Sequence, residues 1–312
     1  MATITPPVSV VTHPEPARRM VRRVRKRGQG AGALFVAPAM LLIGLFFLVP
    51  LVYMGWMSLQ EYPLLGERKF VGLKNYADAL KDPTFRDAVV FTVEYTLLVV
   101  PLLLIVGFGL ASLVRRRRRG AALFRTVFFL PVVVGFASAS FLWSWLVDVR
   151  VGPLPVMARL LGLGTQDSPW LGTALGGLLV VTSMVIWKMS GFTMLLLMAG
   201  MQGIPEEVLE AARVDGAGRW RMLWSITLPL LRPAITLVLV LTTAGSMLAF
   251  EQFLIITGGG PAKETTTIVA WIYNQSFVRF RLGYGAALSL LLGAVLLVIS
   301  AFQLRLLRSN TE

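Results

Sequence analysis

Few of the 312 residues could do covalent or metal chemistry. There is no cysteine, which excludes disulfides, thiolate metal sites and cysteine nucleophiles. The single histidine, His13, stands in a proline-containing N-terminal stretch, so no histidine-based metal site or triad is expected. No catalytic residue and no metal ligand is assigned. Three charged residues lie inside long apolar runs: Glu94, Lys188 and Glu251. Charge in hydrocarbon is costly and often marks a transport path. Trp187, Gln252, Phe253 and Asn274 add flat apolar faces and amides. These seven are the candidate substrate-pathway residues. Glu94 and Glu251 sit toward run ends, where a long side chain can snorkel to the interface. Lys188 is too central for that, so a cavity or an ion pair is expected for it. Tryptophan is also ordinary at a lipid interface.

A second polar constellation is continuous: PEEVLEAARVDGAGRWRMLWSITLPLLRP, Pro205 to Pro233. It carries Glu206, Glu207, Glu210 and Asp215 together with Arg213, Arg219, Arg221 and Arg232. Pro205 suits the first position of a helix, and Glu206 and Glu207 complement its positive end. Asp215-Gly216-Ala217-Gly218 breaks that helix, and Gly216 can adopt backbone angles closed to most residues. Arg219 onward predicts a second helix, ended or bent near Pro229 and Pro233. The result is a helix–turn–helix elbow whose Trp220, Met222, Leu223 and Trp224 need cover and whose Ala211 and Ala212 permit close approach. Such an element is suited to docking.

The surroundings are built for lipid. The chain is 56% hydrophobic and only 15% charged, against about 25% in soluble proteins, and its mean hydropathy is +0.72. Six apolar runs exceed the roughly 20 residues needed to cross hydrocarbon: Gly32–Leu59, Ala88–Val114, Ala121–Leu146, Leu175–Ala199, Ala234–Thr257 and Gly283–Leu306. They lack the alternation of barrel strands, so an all-α, polytopic membrane protein is expected. Pro38, Pro50, Pro101 and Pro131 punctuate the runs, as do Gly107, Gly109, Gly135 and Gly191. The organisation is a basic tail (1–31), a six-helix transmembrane domain (32–306) with the elbow at 203–232, and a short tail (307–312). Nineteen Lys and Arg flank the runs on the elbow's side and ten on the other. The positive-inside rule then places both termini and the elbow in the cytoplasm. The net charge of +14 is read as topology and contact with anionic lipid, not as nucleic-acid binding. GGGPAKET, Gly258 to Thr265, is not taken for a phosphate loop, because Ala262 stands where a glycine should precede the lysine.

At the elbow the chain resembles a known family. Glu210-Ala211-Ala212, three residues, Gly216, nine residues, then Ile226-Thr227-Leu228-Pro229 is similar to the cytoplasmic loop of permease subunits of binding-protein-dependent ABC importers. FVGLKNYADALKDPTFRDAVVFTVEYT, PWL (Pro169–Leu171), TGGGP (Thr257–Pro261) and LGYGAALS (Leu282–Ser289) resemble its carbohydrate branch, of the maltose and glycerol-phosphate permease kind. The likeness runs from about Leu34 to Leu306.

That resemblance implies the type I importer permease fold, six transmembrane helices with a cytoplasmic coupling helix, in a prokaryotic cytoplasmic membrane. It implies a second, related permease, two ABC ATPase subunits that use ATP–Mg, and an extracytoplasmic solute-binding protein. The chain itself is then no enzyme and carries no cofactor. Glu210 would pair with a basic group on the ATPase, and Ala211, Ala212 and Gly216 would provide fit and turn. Asp215, Ile226, Leu228 and Pro229 complete the coupling set. An ion-coupled secondary transporter is the alternative, but it needs no docking loop and often shows inverted repeats, which are not detected. A membrane enzyme would want clustered His, Asp or Glu, and the acids here do not cluster.

Overall fold

In hydrocarbon a chain must close its own backbone hydrogen bonds, so long apolar runs fold as helices, and each helix end needs a substitute partner. The computed structural model describes residues 34–115, 120–161 and 170–308, with side chains as far as Arg305. The basic tail, Arg116–Arg119, Pro169 and the last four residues lie outside the described residues. In chain order the helices are α1 (Leu34–Ser58), α2 (Lys74–Lys81), α3 (Pro83–Val114), α4 (Ala121–Val133), α5 (Phe136–Leu146) and α6 (Pro153–Leu160). There follow α7 (Ala174–Gln202), α8 (Glu206–Val214), α9 (Arg219–Leu230), α10 (Arg232–Met247), α11 (Glu251–Ile256), α12 (Ile268–Tyr273) and α13 (Leu282–Arg308). A two-residue antiparallel hairpin pairs Gln60 with Phe70 and Glu61 with Lys69.

Helices α1, α3, α7 and α13 are each long and apolar enough to cross a membrane. Two bent pairs meet the same length and apolarity only when taken together, each a broken span or a re-entrant loop: α4 with α5 at 96°, and α9 with α10 at 69°. This corrects two expectations. The run Ala121–Leu146 is not one helix but breaks at Val134 and Gly135, which are both extended. The run Ala234–Thr257 is interrupted after Met247, where Phe250 leaves helical geometry at φ −140°, ψ −67°. Apolar composition is the same on both sides of each break, so hydropathy alone cannot locate them. By contrast α3 runs through Pro101 without ending.

The chain divides into two units, one ending at Met54 and one beginning at Gly55. The described part of the first is helix, with a π-helical turn at Gly44–Leu48 and apolar side chains such as Phe35 and Phe46 exposed. The second unit is built on α3 against α7, with α10 packed on both. Small residues set that approach, as is usual where lipid removes the hydrophobic drive between helices. A Cβ at Gly107 of α3 would overlap the Thr193 methyl of α7. Around this seam Tyr95, Val99, Val181, Met184 and Phe253 are buried.

One carboxylate knits the end of the unit where α3 begins. Asp82 precedes Pro83, an N-cap followed by a proline whose missing N–H costs nothing there. Its Oδ1 accepts from the Thr84 and Phe85 amides at 3.0 and 3.4 Å. Its Oδ2 accepts from Trp271 Nε1 at 3.2 Å and from Tyr284 Oη at 2.9 Å. A single side chain thus joins α3, α12 and α13. Replacing Asp82 by Ala is expected to cost about 2–4 kcal/mol, from the lost cap and the lost charge-assisted bonds. Thermal unfolding of the detergent-purified protein should show a clearly lowered midpoint, with Asp82→Asn in between.

Candidate functional site

The elbow forms where its residue types direct it to. Pro205 is extended (φ −57°, ψ 137°), so α8 begins one residue later than a proline-first reading predicts. Glu206 and Glu207 occupy its first turn and Arg213 its last, each complementing the helix dipole. The end of α8 is closed by a Schellman motif. The Ala217 amide donates to the Ala212 carbonyl at 2.9 Å and the Gly216 amide to the Arg213 carbonyl at 3.0 Å. Gly216 makes this possible at φ +77°, as its position in the sequence predicts. Gly218 returns the chain to extended geometry and α9 starts. A π-helical turn at Leu223–Thr227 leads through Leu228 and Pro229 to the bend at Leu231.

The signature residues divide by exposure. Glu210, Ala211, Asp215 and Gly216 are exposed, whereas Ala212, Ile226, Leu228 and Pro229 are half-buried. Leu209 and Leu231 anchor the elbow to the bundle, both buried. Val214, Trp220 and Trp224 stand 88%, 75% and 64% exposed, an apolar surface on an otherwise polar segment. Behind the elbow lies a cleft of about 840 Å³ lined by Arg115, Arg125, Arg213, Glu206 and Glu210. Among the described residues neither glutamate closes an ion pair. Arg125 instead donates from Nη2 to the Val114 carbonyl at 2.6 Å. Sequence reasoning missed this arginine, whose only signal was its place just after the basic run.

The seven pathway candidates are not gathered round one cavity. Glu94 is exposed and lines a cleft of about 670 Å³ with Arg86, Asp87, Phe91 and Lys263. Glu251 is exposed at the start of α11. Gln252 and Phe253 are buried in the core: Gln252 is hydrogen-bonded to Tyr95, and Phe253 meets Phe91 and Tyr95 edge-on, with ring centroids 5.2 and 4.9 Å apart. Both partners, Phe91 and Tyr95, belong to α3, and α11 also packs against α5. Trp187 is 38% exposed and tilts against Trp143 at 6.2 Å. Asn274 is half-buried in a π-helical turn, with its Oδ1 unpartnered.

Lys188 corrects the expectation of a cavity or an ion pair. It is the middle residue of α7 and only 2% exposed. Its Nζ donates to the carbonyls of Pro131 and Val132, both at 3.4 Å, and of Val134. It also lies 4.7 Å from the Phe136 ring centroid. Three donors meet three carbonyls at the break between α4 and α5. The negative end of α4 and a ring face balance the charge without a carboxylate.

Comparisons with known proteins agree with this architecture. Residues 79–311 match the family described as binding-protein-dependent transport system inner membrane component. The sn-glycerol-3-phosphate transport system permease protein UgpA of Agrobacterium fabrum is 34% identical over 283 residues, covering 89% of this chain and 95% of its own. The sulfoquinovosyl glycerol transport system permease protein SmoG of the same organism is 33% identical over 281 residues, covering 89% and 90%. The crystal structure of a bacterial alginate ABC transporter in complex with an alginate pentasaccharide-bound periplasmic protein contains a chain of the same fold. The two superpose with a TM-score of 0.78 at 21% identity, over 95% of this chain and 99% of that one.

The Schellman turn at Gly216 is testable locally. Gly216→Val places a β-branched residue in left-handed geometry, at a cost of about 1–2 kcal/mol or more. Hydrogen–deuterium exchange at the amides of 216 and 217 should accelerate, whereas Gly216→Asn, which tolerates this geometry, should stay close to the parent.

Proposed function

This chain belongs to the family of binding-protein-dependent transport system inner membrane components, and from that premise we propose how its elbow drives transport and what is carried. It is a transmembrane subunit of an ABC importer. We read its cargo as a sugar or sugar-like solute, which the substrate names of its glycerol-phosphate and sulfoquinovosyl glycerol relatives support. The elbow is the coupling element. It lies in the cytoplasm with both termini, as the arginine distribution supports, and it is gripped by one of two ATPase subunits. A second permease completes the pathway and an extracytoplasmic binding protein delivers the solute.

The observation that carries this reading is the elbow's combination of a closed, stiff turn with unpaired exterior groups. Val214, Trp220 and Trp224 are uncovered, and Glu210 has no basic partner within its own chain among the described residues. A partner offering an apolar groove and a cation answers both. Closure of the ATPase pair then pulls α8, and α9 passes the movement through Leu231 into α10. The intramembrane cavity changes the side to which it opens. ATP–Mg binding and hydrolysis belong to the partner subunits, and this chain's part is to convert their motion.

Charge reversal tests the docking. Losing one partner of a close interfacial charge pair costs roughly 2–5 kcal/mol, so Glu210→Lys should lower uptake by reconstituted vesicles at least about tenfold. The ATPase subunits should co-purify poorly while membrane insertion is unchanged. Co-purification and uptake at the parent level would remove the docking role. Solute uptake by the chain alone, driven by a proton gradient, would favour an ion-coupled carrier.

A further inference from the structure

We propose that Lys188 is the fulcrum of a second transmission arm: a positioning residue that pins the broken third span to α7, not a ligand for the transported solute. The geometry stands independently of the transport reading; only the motion assigned to it rests on that reading.

Helix α7 offers the break a shaped seat. At Lys188 it supplies the ammonium that reaches the carbonyls of Pro131, Val132 and Val134, the first of which also accepts from the Val134 amide at 3.3 Å. One turn on, at Gly191, it supplies no side chain. A Cβ there would overlap the Phe128 carbonyl and come within 2.9 Å of Phe129 Cα. The backbone of α4 therefore rests directly on α7 beside the cap. All three ammonium donors are engaged and the side chain is 2% exposed, so no donor is left for an anionic solute.

The two halves of the span connect different places. α4 carries Arg125, which lines the cleft behind the elbow with Glu206, Glu210 and Arg213. α5 packs against α11, which carries Glu251, Gln252 and Phe253. Between them lie only Val134 and Gly135. A displacement of the elbow that moves α4 must pivot where α4 is pinned, and α5 carries it to α11. This path runs beside the covalent one through Leu231 and gives the elbow two points of purchase on the bundle.

The test uses the assembled complex in nanodiscs, with spin labels at Leu123 and Trp145, both exposed and on opposite sides of the break. The parent should give one narrow distance by pulsed electron resonance. Lys188→Met should broaden or shift it and lower binding-protein-stimulated ATPase at least about fivefold, while the uptake KM changes less than about twofold. Lys188→Arg should recover the distance and part of the coupling. A raised KM with an unchanged distance would make Lys188 a solute ligand and overturn the proposal, as would parent-like distance and coupling. If Lys188→Met does not assemble, Gly191→Ala keeps the ammonium but lifts α4. It should broaden the same distance, and a parent-like distance with parent-like coupling would again overturn the proposal. Were the transport reading itself at fault, the parent would show no stimulated ATPase, whereas the distances would still respond to both substitutions.

Discussion

Inside a bilayer an unpaired backbone carbonyl or amide has no water to fall back on, and each costs several kcal/mol. That constraint decides where this chain can be jointed. A helix can stop within the membrane only where something replaces its missing bonds, and at two of the breaks here another element does so. At the end of α4 it is Lys188, reaching from α7. After α10 it is Thr267, whose hydroxyl donates to the Ala249 carbonyl at 2.7 Å. The same hydroxyl accepts from the Ala270 amide to begin α12, and the Ile268 amide next to it donates to Thr92 Oγ1 on α3 at 3.0 Å. Both of these joints are therefore also cross-links between elements distant in sequence.

Packing supplies the rigid parts between the joints. Contacts of α7 along its length are set by residues with little or no side chain: Gly191 beneath α4, and Gly200 beneath Leu231 and Ala234. A Cβ at Gly200 would meet Leu231 Cδ1 at 2.9 Å, and Leu231, the residue at which α9 turns into α10, is fully buried. The root of the elbow is thus clamped on the same helix that pins α4. Close-packed interiors transmit displacement with little compression. The end of α9 and the start of α10 are thus held against α7 by contacts that cannot easily yield.

What could be seen in the sequence follows from how local each cause is. The elbow was legible to within a residue, because proline, paired acids and a glycine at the C′ position act within one or two turns. The continuous spans were legible because length and apolarity suffice. The breaks were not. Gly135 and Pro131 mark punctuation, but the carbonyls they free are answered by a lysine 54 residues away from Val134, and nothing local pairs the two. For the same reason Lys188 was expected to face a cavity or a carboxylate. Gln252 and Phe253 were chosen by chemical type as sugar contacts. Their burial against Phe91 and Tyr95 of α3 depends on the break after Met247 and on tertiary packing, which chemical type does not reveal.

The elbow differs from the bundle in how its polar side chains are used. Within the bundle, polar groups are spent on one another: Lys188 on carbonyls, Asp82 on two helices beyond its own, Tyr95 on Gln252. At the elbow the end of α8 is closed by the turn at Gly216, yet the Glu210 side chain and the Trp220 and Trp224 rings are left open. A tryptophan buries on the order of 150–250 Å² when covered, at about 25 cal/mol per Å². Covering Trp220 and Trp224 is therefore a sizeable drive for association before Glu210 finds a cation. Had Glu210 been paired with Arg213 or Arg125 across the cleft behind it, that attraction would already be used within the chain. With these charges kept apart, the elbow can still offer a partner its carboxylate, as the proposed docking requires.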